Sequence, residues 1–324
     1  MNILITGGAG YIGSHAVKML KHRGYNVVVV DNLSTGFAYA LDESLPFYEV
    51  STHDTTALID IFKNERIDAV MHFAAYSLVG ESVQHPLKYY HNNVEGTRSL
   101  LEAMLRSGVN HLIFSSTAAV YGEQKKMPIR ETAPLQPTNP YGATKKTIED
   151  MLRAVNTAHK GFNYASLRYF NVAGAYHDHS IGENHDPETH LIPNVIKSVL
   201  SEKNTLKVFG TDYDTKDGSA IRDYIHVEDL IDAHIKALNH IVDHRVSDVF
   251  NLGSAEGYSV LDIIKTTETV LNKTVPFEKH QRRPGDPPVL IATHDKAEEV
   301  LGWRPTYKLE DMIRSAAHYY EKRR

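Results

Sequence analysis

Tyr141 and Lys145, four positions apart in Asn139-Pro140-Tyr141-Gly142-Ala143-Thr144-Lys145, have the residue types and spacing to move a proton. On a helix, side chains at i and i+4 are neighbours. A phenol titrates near pH ~10 and is a poor base at neutral pH. An ammonium ~4 Å away at an effective dielectric of ~20 is worth ~4 kcal/mol, which would lower that value by roughly three pH units and make Tyr141 an acid/base for a hydroxyl proton. With 18 tyrosines in the chain, about one such spacing arises by chance, and a second pair, Tyr121 and Lys125, is present. Setting separates the two pairs. Tyr121 follows the strand-like run His111 to Ser116 and leads through Gly122 towards Pro128, whereas Tyr141 opens a segment with Ile148, Met151, Leu152 and Val155 at helical recurrence.

A second constellation sits near residue 7. Asn2 to Thr6 reads as a short apolar strand running into Gly7-Gly8-Ala9-Gly10-Tyr11-Ile12-Gly13-Ser14, and His15 to Lys21 reads as the helix that follows. Glycines at 7, 10 and 13 let the backbone turn tightly, approach a pyrophosphate and pack helix on strand, with the helix N-terminus facing the anion. A second strand, Asn26 to Val30, ends at Asp31 about twenty residues on, where a carboxylate would hold the adenosine ribose hydroxyls. The next residues, Asn32-Leu33-Ser34, offer no arginine for a 2′-phosphate, which favours NAD over NADP.

The elements that must position these residues alternate in type. Phe47 to Val50 reads as strand, Thr56 to Lys63 as helix, Ala69 to Ala74 as strand and about Pro86 to Arg106 as one long helix; His111 to Ser116, the Tyr141 helix and Asn163 to Phe170 follow. This βαβ series predicts an α/β fold, a Rossmann-like doubly wound parallel sheet. Ligands of such sheets lie beyond the carboxyl ends of the strands, which sets Gly7 to Gly13, Asp31, Phe73, Ser116-Thr117 and Asn171 along one edge. Residues 1–175 are expected to form the NAD-binding domain, with the chain crossing back later, and residues 176–324 a smaller, mainly substrate-binding α/β lobe. In that lobe a helix is expected over Ile192 to Leu200, strands over Leu206 to Phe209, Asp248 to Leu252 and Thr274 to Phe277, and a helix from Ser259.

At 324 residues and 42% hydrophobic the chain can bury a full core. The absence of cysteine excludes disulfides, catalytic thiols and cysteine-type zinc sites. The first residues lack the basic region and apolar run of a signal peptide, and no apolar run reaches about 18 residues, so a cytoplasmic protein without a membrane span is expected. A net charge of −5 disfavours nucleic acid. An anionic ligand would therefore need a few placed arginines, and Arg282-Arg283-Pro284-Gly285-Asp286 suits a phosphate because guanidinium binds its oxygens bidentately. The loop His177 to Thr189 is crowded with His, Asp and Glu, but no helical i,i+4 pair fixes them; a solvated loop accounts for them and no metal is expected.

With the glycine turn, the Ser/Thr after the fifth main strand and the Tyr-Lys pair in order, the chain resembles the extended short-chain dehydrogenase/reductase family, and within it the branch that inverts C4 of UDP-sugars. The likeness runs through Thr6 to His15, Asp31-Asn32-Leu33, His72-Phe73-Ala74-Ala75, Val79-Gly80-Glu81-Ser82, Tyr89 to Thr97, Phe114 to Gly122, Asn139 to Lys145, Arg168 to Gly174, Gly218 to Asp229 and Arg282 to Asp286. It implies reversible epimerisation of UDP-galactose and UDP-glucose through a 4-keto intermediate. Tyr141 would remove the 4-hydroxyl proton, Lys145 would keep the tyrosine basic, and Thr117 would hydrogen-bond the same oxygen. It implies NAD contacts from Gly7, Gly10, Tyr11, Ile12, Gly13, Asp31, Asn32, Leu33, Ser34, Thr35, Gly36, Phe73, Ala74, Ala75, Ser77, Asn92, Tyr141, Lys145 and Phe170. UDP contacts would come from Thr117, Asn171, His190, Arg222, Arg283 and Asp286, His190 standing where many members have asparagine. A homodimer built on the helices near 86–106 and 141–158 is also implied.

Rival activities are a nucleotide-sugar 4,6-dehydratase, a 4-epimerase of N-acetylated UDP-sugars and a non-catalytic NAD-binding regulator. The dehydratase needs an acid and a base beside the Ser/Thr, where this chain has Ala118-Ala119. Leu290, smaller than an aromatic, stands at the family's pocket-size position and leaves the N-acetylated substrates open. The intact Thr117, Tyr141 and Lys145 argue against the regulator. Two further departures bear on the cofactor. Ser77 replaces a lysine often found near its phosphates, and Ser51 an acid that often binds the adenine amine. Both point to weak retention, so dialysed protein should lose NAD and need it added back; stoichiometric NAD surviving dialysis contradicts this.

Overall fold

The computed structural model describes residues 1–201, 205–282 and 287–323. In chain order the elements are β1 (Asn2–Thr6), α1 (Tyr11–His22), β2 (Asn26–Asp31), β3 (Phe47–Glu49), α2 (Thr55–Asn64), β4 (Ala69–His72), α3 (Val79–Gln84), α4 (Pro86–Tyr89), a π-helical stretch (Tyr90–Glu95), α5 (Gly96–Ser107), β5 (His111–Ser115), α6 (Pro140–Ala158) and β6 (Asn163–Arg168). There follow β7 (Asn171–Ala173), α7 (Leu191–Leu200), β8 (Leu206–Phe209), β9 (Ile221–Arg222), β10 (Tyr224–His226), α8 (Val227–His244), β11 (Asp248–Asn251), β12 (Tyr258–Ser259), α9 (Val260–Leu271), β13 (Phe277–His280), β14 (Val289–Leu290), α10 (Asp295–Leu301) and α11 (Leu309–Lys322). Two compact units result: Met1–Glu123 with Glu131–Arg168 and Ile231–Phe250, and Gln124–Arg130 with Tyr169–Leu230 and Asn251–Arg324.

The first unit holds a seven-stranded sheet in the order β11-β6-β5-β4-β1-β2-β3, parallel through every pair from β3 to β6. Chain order reverses between β1 and β4, the switch point at which such sheets bind ligands. Ile3, Leu4 and Ile5 are fully buried, because helices covering both faces require a continuous apolar strand rather than an alternating one. Leu58 and Phe62 of α2 share one core with Leu100, Leu101 and Met104 of α5 and with Ile148 and Leu152 of α6. The second unit has its own core, in which Ile192, Val195 and Ile196 of α7 join Ile263 and Ile264 of α9 and Met312, Ile313 and Ala316 of α11.

The expected doubly wound α/β fold is present, with local differences. The long helix expected over residues 86–106 is three pieces, because the backbone widens to a π turn over Tyr90–Glu95, where Asn93 turns its buried amide onto the loop after β4. β4 stops at His72 because Phe73-Ala74 must run beside Gly7, where a Cβ on that glycine would sit 2.6 Å from the Ala74 nitrogen. The strand expected over Thr274 to Phe277 starts at Phe277 instead, since Pro276 has no N–H to give a ladder.

Candidate active site

The glycine turn is built as its residue types demand. Gly7 adopts φ +74°, and a Cβ on Gly13 would lie 2.0 Å from the Gly7 carbonyl oxygen, so the first turn of α1 packs directly on the end of β1. Gly10 differs: the nearest atom to a Cβ there is the Gly7 oxygen at 3.4 Å, which leaves its outer side open. Gly10 caps α1 without any side-chain hydrogen bond, and no acidic residue occupies the first turn. The opening N–H groups of a helix lack intrahelical acceptors and its dipole favours an anion there, so this end fits a pyrophosphate. Asp31, buried at the end of β2, accepts the N–H of Ala9 at 2.9 Å and of Leu33 at 2.8 Å. Burial pushes its carboxyl up and these two donors draw it down. A carboxylate has about four acceptor sites, so both oxygens keep capacity for ribose hydroxyls.

Other expected cofactor residues fall around this turn. Leu33 takes φ 54°, Asn32 accepts the Ser34 N–H at 3.1 Å, and Thr35 is exposed. Gly36 approaches Ala9 so closely that a Cβ would stand 2.8 Å from its carbonyl carbon. Tyr11 and Ile12 are half-buried in the first turn of α1. Phe73 turns its ring onto His234 of α8 at 5.0 Å; Ala75 is half-buried and Ser77 exposed. Asn92 is half-buried and donates to Asn93, the residue that holds the loop in place through the Tyr76 N–H and carbonyl and through Thr144 of α6. Asn93 was not among the residues singled out from sequence, since nothing in its local pattern distinguishes it from Asn92.

Asn139 caps α6 by accepting the Gly142 N–H at 2.9 Å, and Pro140 occupies the first turn, where its missing N–H costs nothing. A Cβ on Gly142 would meet the Ala119 carbonyl oxygen at 2.6 Å, so glycine after Tyr141 lets α6 begin hard against the turn after β5. That contact brings Tyr141 within hydrogen-bonding reach of Thr117. Lys145, 3% exposed, donates to the Ser115 carbonyl at 2.8 Å, with Glu149 one turn further along α6. Glu149 accepts from Arg168 at 2.9 and 2.5 Å and from the Ser116 hydroxyl at 2.6 Å, and Arg168 also donates to the Tyr121 hydroxyl at 2.8 Å. Glu149 was missed in the sequence, and Ser116 and Arg168, though named there, were given no part in holding it. The i+4 step from Lys145 to Glu149 was the available signal. Tyr121, in the competing Tyr121/Lys125 pair, is instead a buried structural phenol, while Lys125 is exposed.

The electrostatics correct one expectation. Burial raises Tyr141 to about 12, drawn back only by its hydrogen bond with Thr117, rather than the phenol being lowered by Lys145. Burial also lowers Lys145 to about 7, against the pull of Glu149. Removing water penalises both charged forms, and the lysine head is occupied with a backbone carbonyl.

In the second unit, the Asn171 side chain donates to the Asp223 carbonyl at 2.9 Å, and Arg222, on β9, donates to the Ile221 carbonyl at 2.7 Å. Phe170 is half-buried. Arg283 and Asp286 lie outside the described residues. Neighbouring Arg282 pairs with Asp212 at 2.8 Å and lies 4.3 Å over the Tyr213 ring. His190 is drawn into a cluster with Glu183, His185 and Glu188. His177 instead pairs with Glu228 at 2.8 Å, and His179 stacks edge-on to His318 at 4.8 Å.

Residues 3–253 match the family described as the NAD dependent epimerase/dehydratase family. The chain belongs to that family. It is 52% identical to a UDP-glucose 4-epimerase of Lactobacillus helveticus, covering 99% of this chain and 97% of that protein. Among solved structures, a UDP-glucose 4-epimerase aligns with TM-score 0.97 at 49% identity over 99% of this chain and 98% of the other. The Bifidobacterium longum UDP-glucose 4-epimerase, crystallised with NAD+ and UDP, aligns with TM-score 0.94 at 38% identity over 99% and 98%.

The buried lysine makes stability depend on pH. Its value of about 7 in the folded chain lies below the ~10.4 of the unfolded one, so the unfolded chain binds the extra proton and stability rises with pH across that interval. Urea unfolding between about pH 7.5 and about pH 9 should show this rise, up to ~1.4 kcal/mol per pH unit, in the wild type but not in Lys145→Met. Parallel pH profiles for the two proteins would refute the assignment.

Proposed function

We propose that this protein interconverts UDP-galactose and UDP-glucose by inverting C4 of the sugar through a 4-keto intermediate, with NAD as its resident cofactor. The observation that carries the reading is the Thr117–Tyr141 hydrogen bond beside a buried lysine on the same helix, in the unit that also carries the glycine turn and Asp31. When bound, NAD would supply a hydride acceptor and donor for C4 and a positive charge that favours the phenolate in a dry setting. Tyr141 accepts the 4-hydroxyl proton and returns it to the same oxygen once the ketone has turned its other face to the hydride, and Thr117 orients that oxygen by hydrogen bonding. Lys145, fixed by the Ser115 carbonyl and balanced by Glu149, sets the local charge. Gly7, Gly10, Gly13, Asp31 and the loop through Gly36 hold the dinucleotide.

Inversion requires the sugar to present both faces while the nucleotide stays put, so binding strength must come from UDP rather than the hexose. We assign the uridine diphosphate to the second unit through Asn171, Arg222, Arg283 and Asp286. No helix among the described residues is long and apolar enough to cross a membrane. A cytoplasmic setting and a homodimer complete the proposal. The dimer is supported by Val79, Val83, Leu87 and Tyr90, large apolar side chains that stay 45%, 62%, 81% and 41% exposed.

Incubating the protein with NAD and UDP-galactose should yield UDP-glucose, and Tyr141→Phe should lower the rate by about 10²–10⁴-fold while NAD binding persists. Undiminished turnover in that variant would overturn the mechanism. Sizing in solution should give twice the chain mass, and Val83→Glu with Leu87→Glu should shift it to monomer; a monomeric wild type rejects the dimer.

A further inference from the structure

Segment 183–190, which leads into α7, gathers four side chains that the proposed reaction leaves unused, His190 among them being committed to Glu183 at 2.7 Å rather than to the UDP contact expected from the sequence. One ligand atom each from Glu183, His185, Glu188 and His190 lies within 4.8 Å of all the others. The Glu183 carboxylate oxygen is 2.7 Å from Nδ1 of His190 and 3.4 Å from Nδ1 of His185. The Glu188 carboxylate oxygen is 3.5 Å and 3.7 Å from the same two nitrogens. We propose that these four residues bind one divalent transition metal of the zinc type.

The spacing fits the ion. Tetrahedral zinc with bonds of about 2.1 Å to nitrogen and oxygen holds its donors roughly 3.4 Å apart, close to three of the four separations. The fourth, between Glu183 and His190, is shorter, yet Nδ1 of His190 is buried and makes no hydrogen bond with any described residue. At 2.7 Å those two donor atoms would have to part to take a shared ion.

The chemistry fits as well. Two neutral imidazoles and two carboxylates neutralise a 2+ ion, and imidazole donors favour zinc and its transition-metal neighbours over magnesium or calcium. The ligands are themselves held. Glu188 accepts the backbone N–H of Thr189 at 2.9 Å and of His190 at 3.0 Å, and Lys197 lies 3.6 Å from its other oxygen. The Tyr320 hydroxyl of α11 donates to the Glu183 carbonyl at 2.8 Å. Such outer contacts orient metal ligands. Four protein donors complete a tetrahedral shell with no open position, so the ion's work is structural: it ties the segment ahead of α7 together.

The competing account is a metal-free cluster of two protonated histidines and two carboxylates. In that state burial, which lowers both rings, is outweighed by Glu183 and Glu188, and His185 rises to about 9 and His190 to about 10. Full-length protein, dialysed against EDTA, is titrated calorimetrically with ZnCl₂, melted with and without zinc, and titrated with CoCl₂ in the visible range. Expected are one zinc per chain, a melting temperature raised by several degrees at saturation, and the intense visible bands of tetrahedral cobalt. His185→Gln and Glu183→Gln should each weaken zinc binding by at least about tenfold and abolish those bands. Absence of saturable binding, a weak octahedral cobalt spectrum, or variants that bind as tightly as the wild type would overturn the site, placing any bound zinc elsewhere among the 19 histidines.

Discussion

The first unit depends on keeping one ammonium group dry. Lys145 is nearly without solvent contact; among the described residues its ammonium donates to the Ser115 carbonyl and lies 4.8 Å over the Phe114 ring, while its charge is balanced by Glu149 a turn away. An isolated ammonium in such a place is expensive, so the surroundings must answer it. Arg168 and Ser116 hold Glu149 in turn, and Tyr121 holds Arg168. The result is a chain of buried polar groups joining β5, α6 and β6, in which removing any link costs its neighbour a partner. Desolvation sets the phenol and the lysine towards their neutral forms, so a phenolate here would need an added positive charge nearby.

The sheet places this apparatus beside the glycine turn by topology alone. Gly7 follows β1, Phe73 follows β4 and Thr117 follows β5, three adjacent strands running in one direction. Loops at one end of such a sheet are close whatever their separation in sequence. His72 helps fix the layer: neutral, and lowered to about 3 by burial and by the nearby Lys145 charge, it links the Thr6 and Thr97 hydroxyls at 2.6 and 2.8 Å. The π stretch ahead of α5 then lets Asn93 reach both the loop after β4 and Thr144.

The second unit follows a different logic, with short strands and loop-borne polar clusters. Asp223, 2% exposed, is raised by burial to about 6 although Ser254 and Ala292 donate to it, and it fixes the chain beside Arg222. The His/Glu segment before α7 is a comparable knot of charges, drawn from four positions that share no helical or strand period. Here the loops carry the chemistry and the helices supply the floor.

Local sequence by itself determined what rests on local rules. The glycine spacing, the carboxylate closing β2, the capped start of α6 and the alternation of elements each follow from φ/ψ freedom, capping or apolar periodicity, and so the fold and the positions of Tyr141, Lys145 and Thr117 were legible. Tertiary structure alone decided what depends on burial and on partners distant in sequence. That Lys145 is dry, that Tyr141 is raised rather than lowered, that Glu149 meets Arg168, and that Glu183, His185, Glu188 and His190 converge could not be read from spacing, because desolvation and loop closure are properties of the folded surroundings. The i,i+4 rule brought phenol and ammonium onto one helix face; the dielectric around them, which fixes their charge, came only with the packed chain.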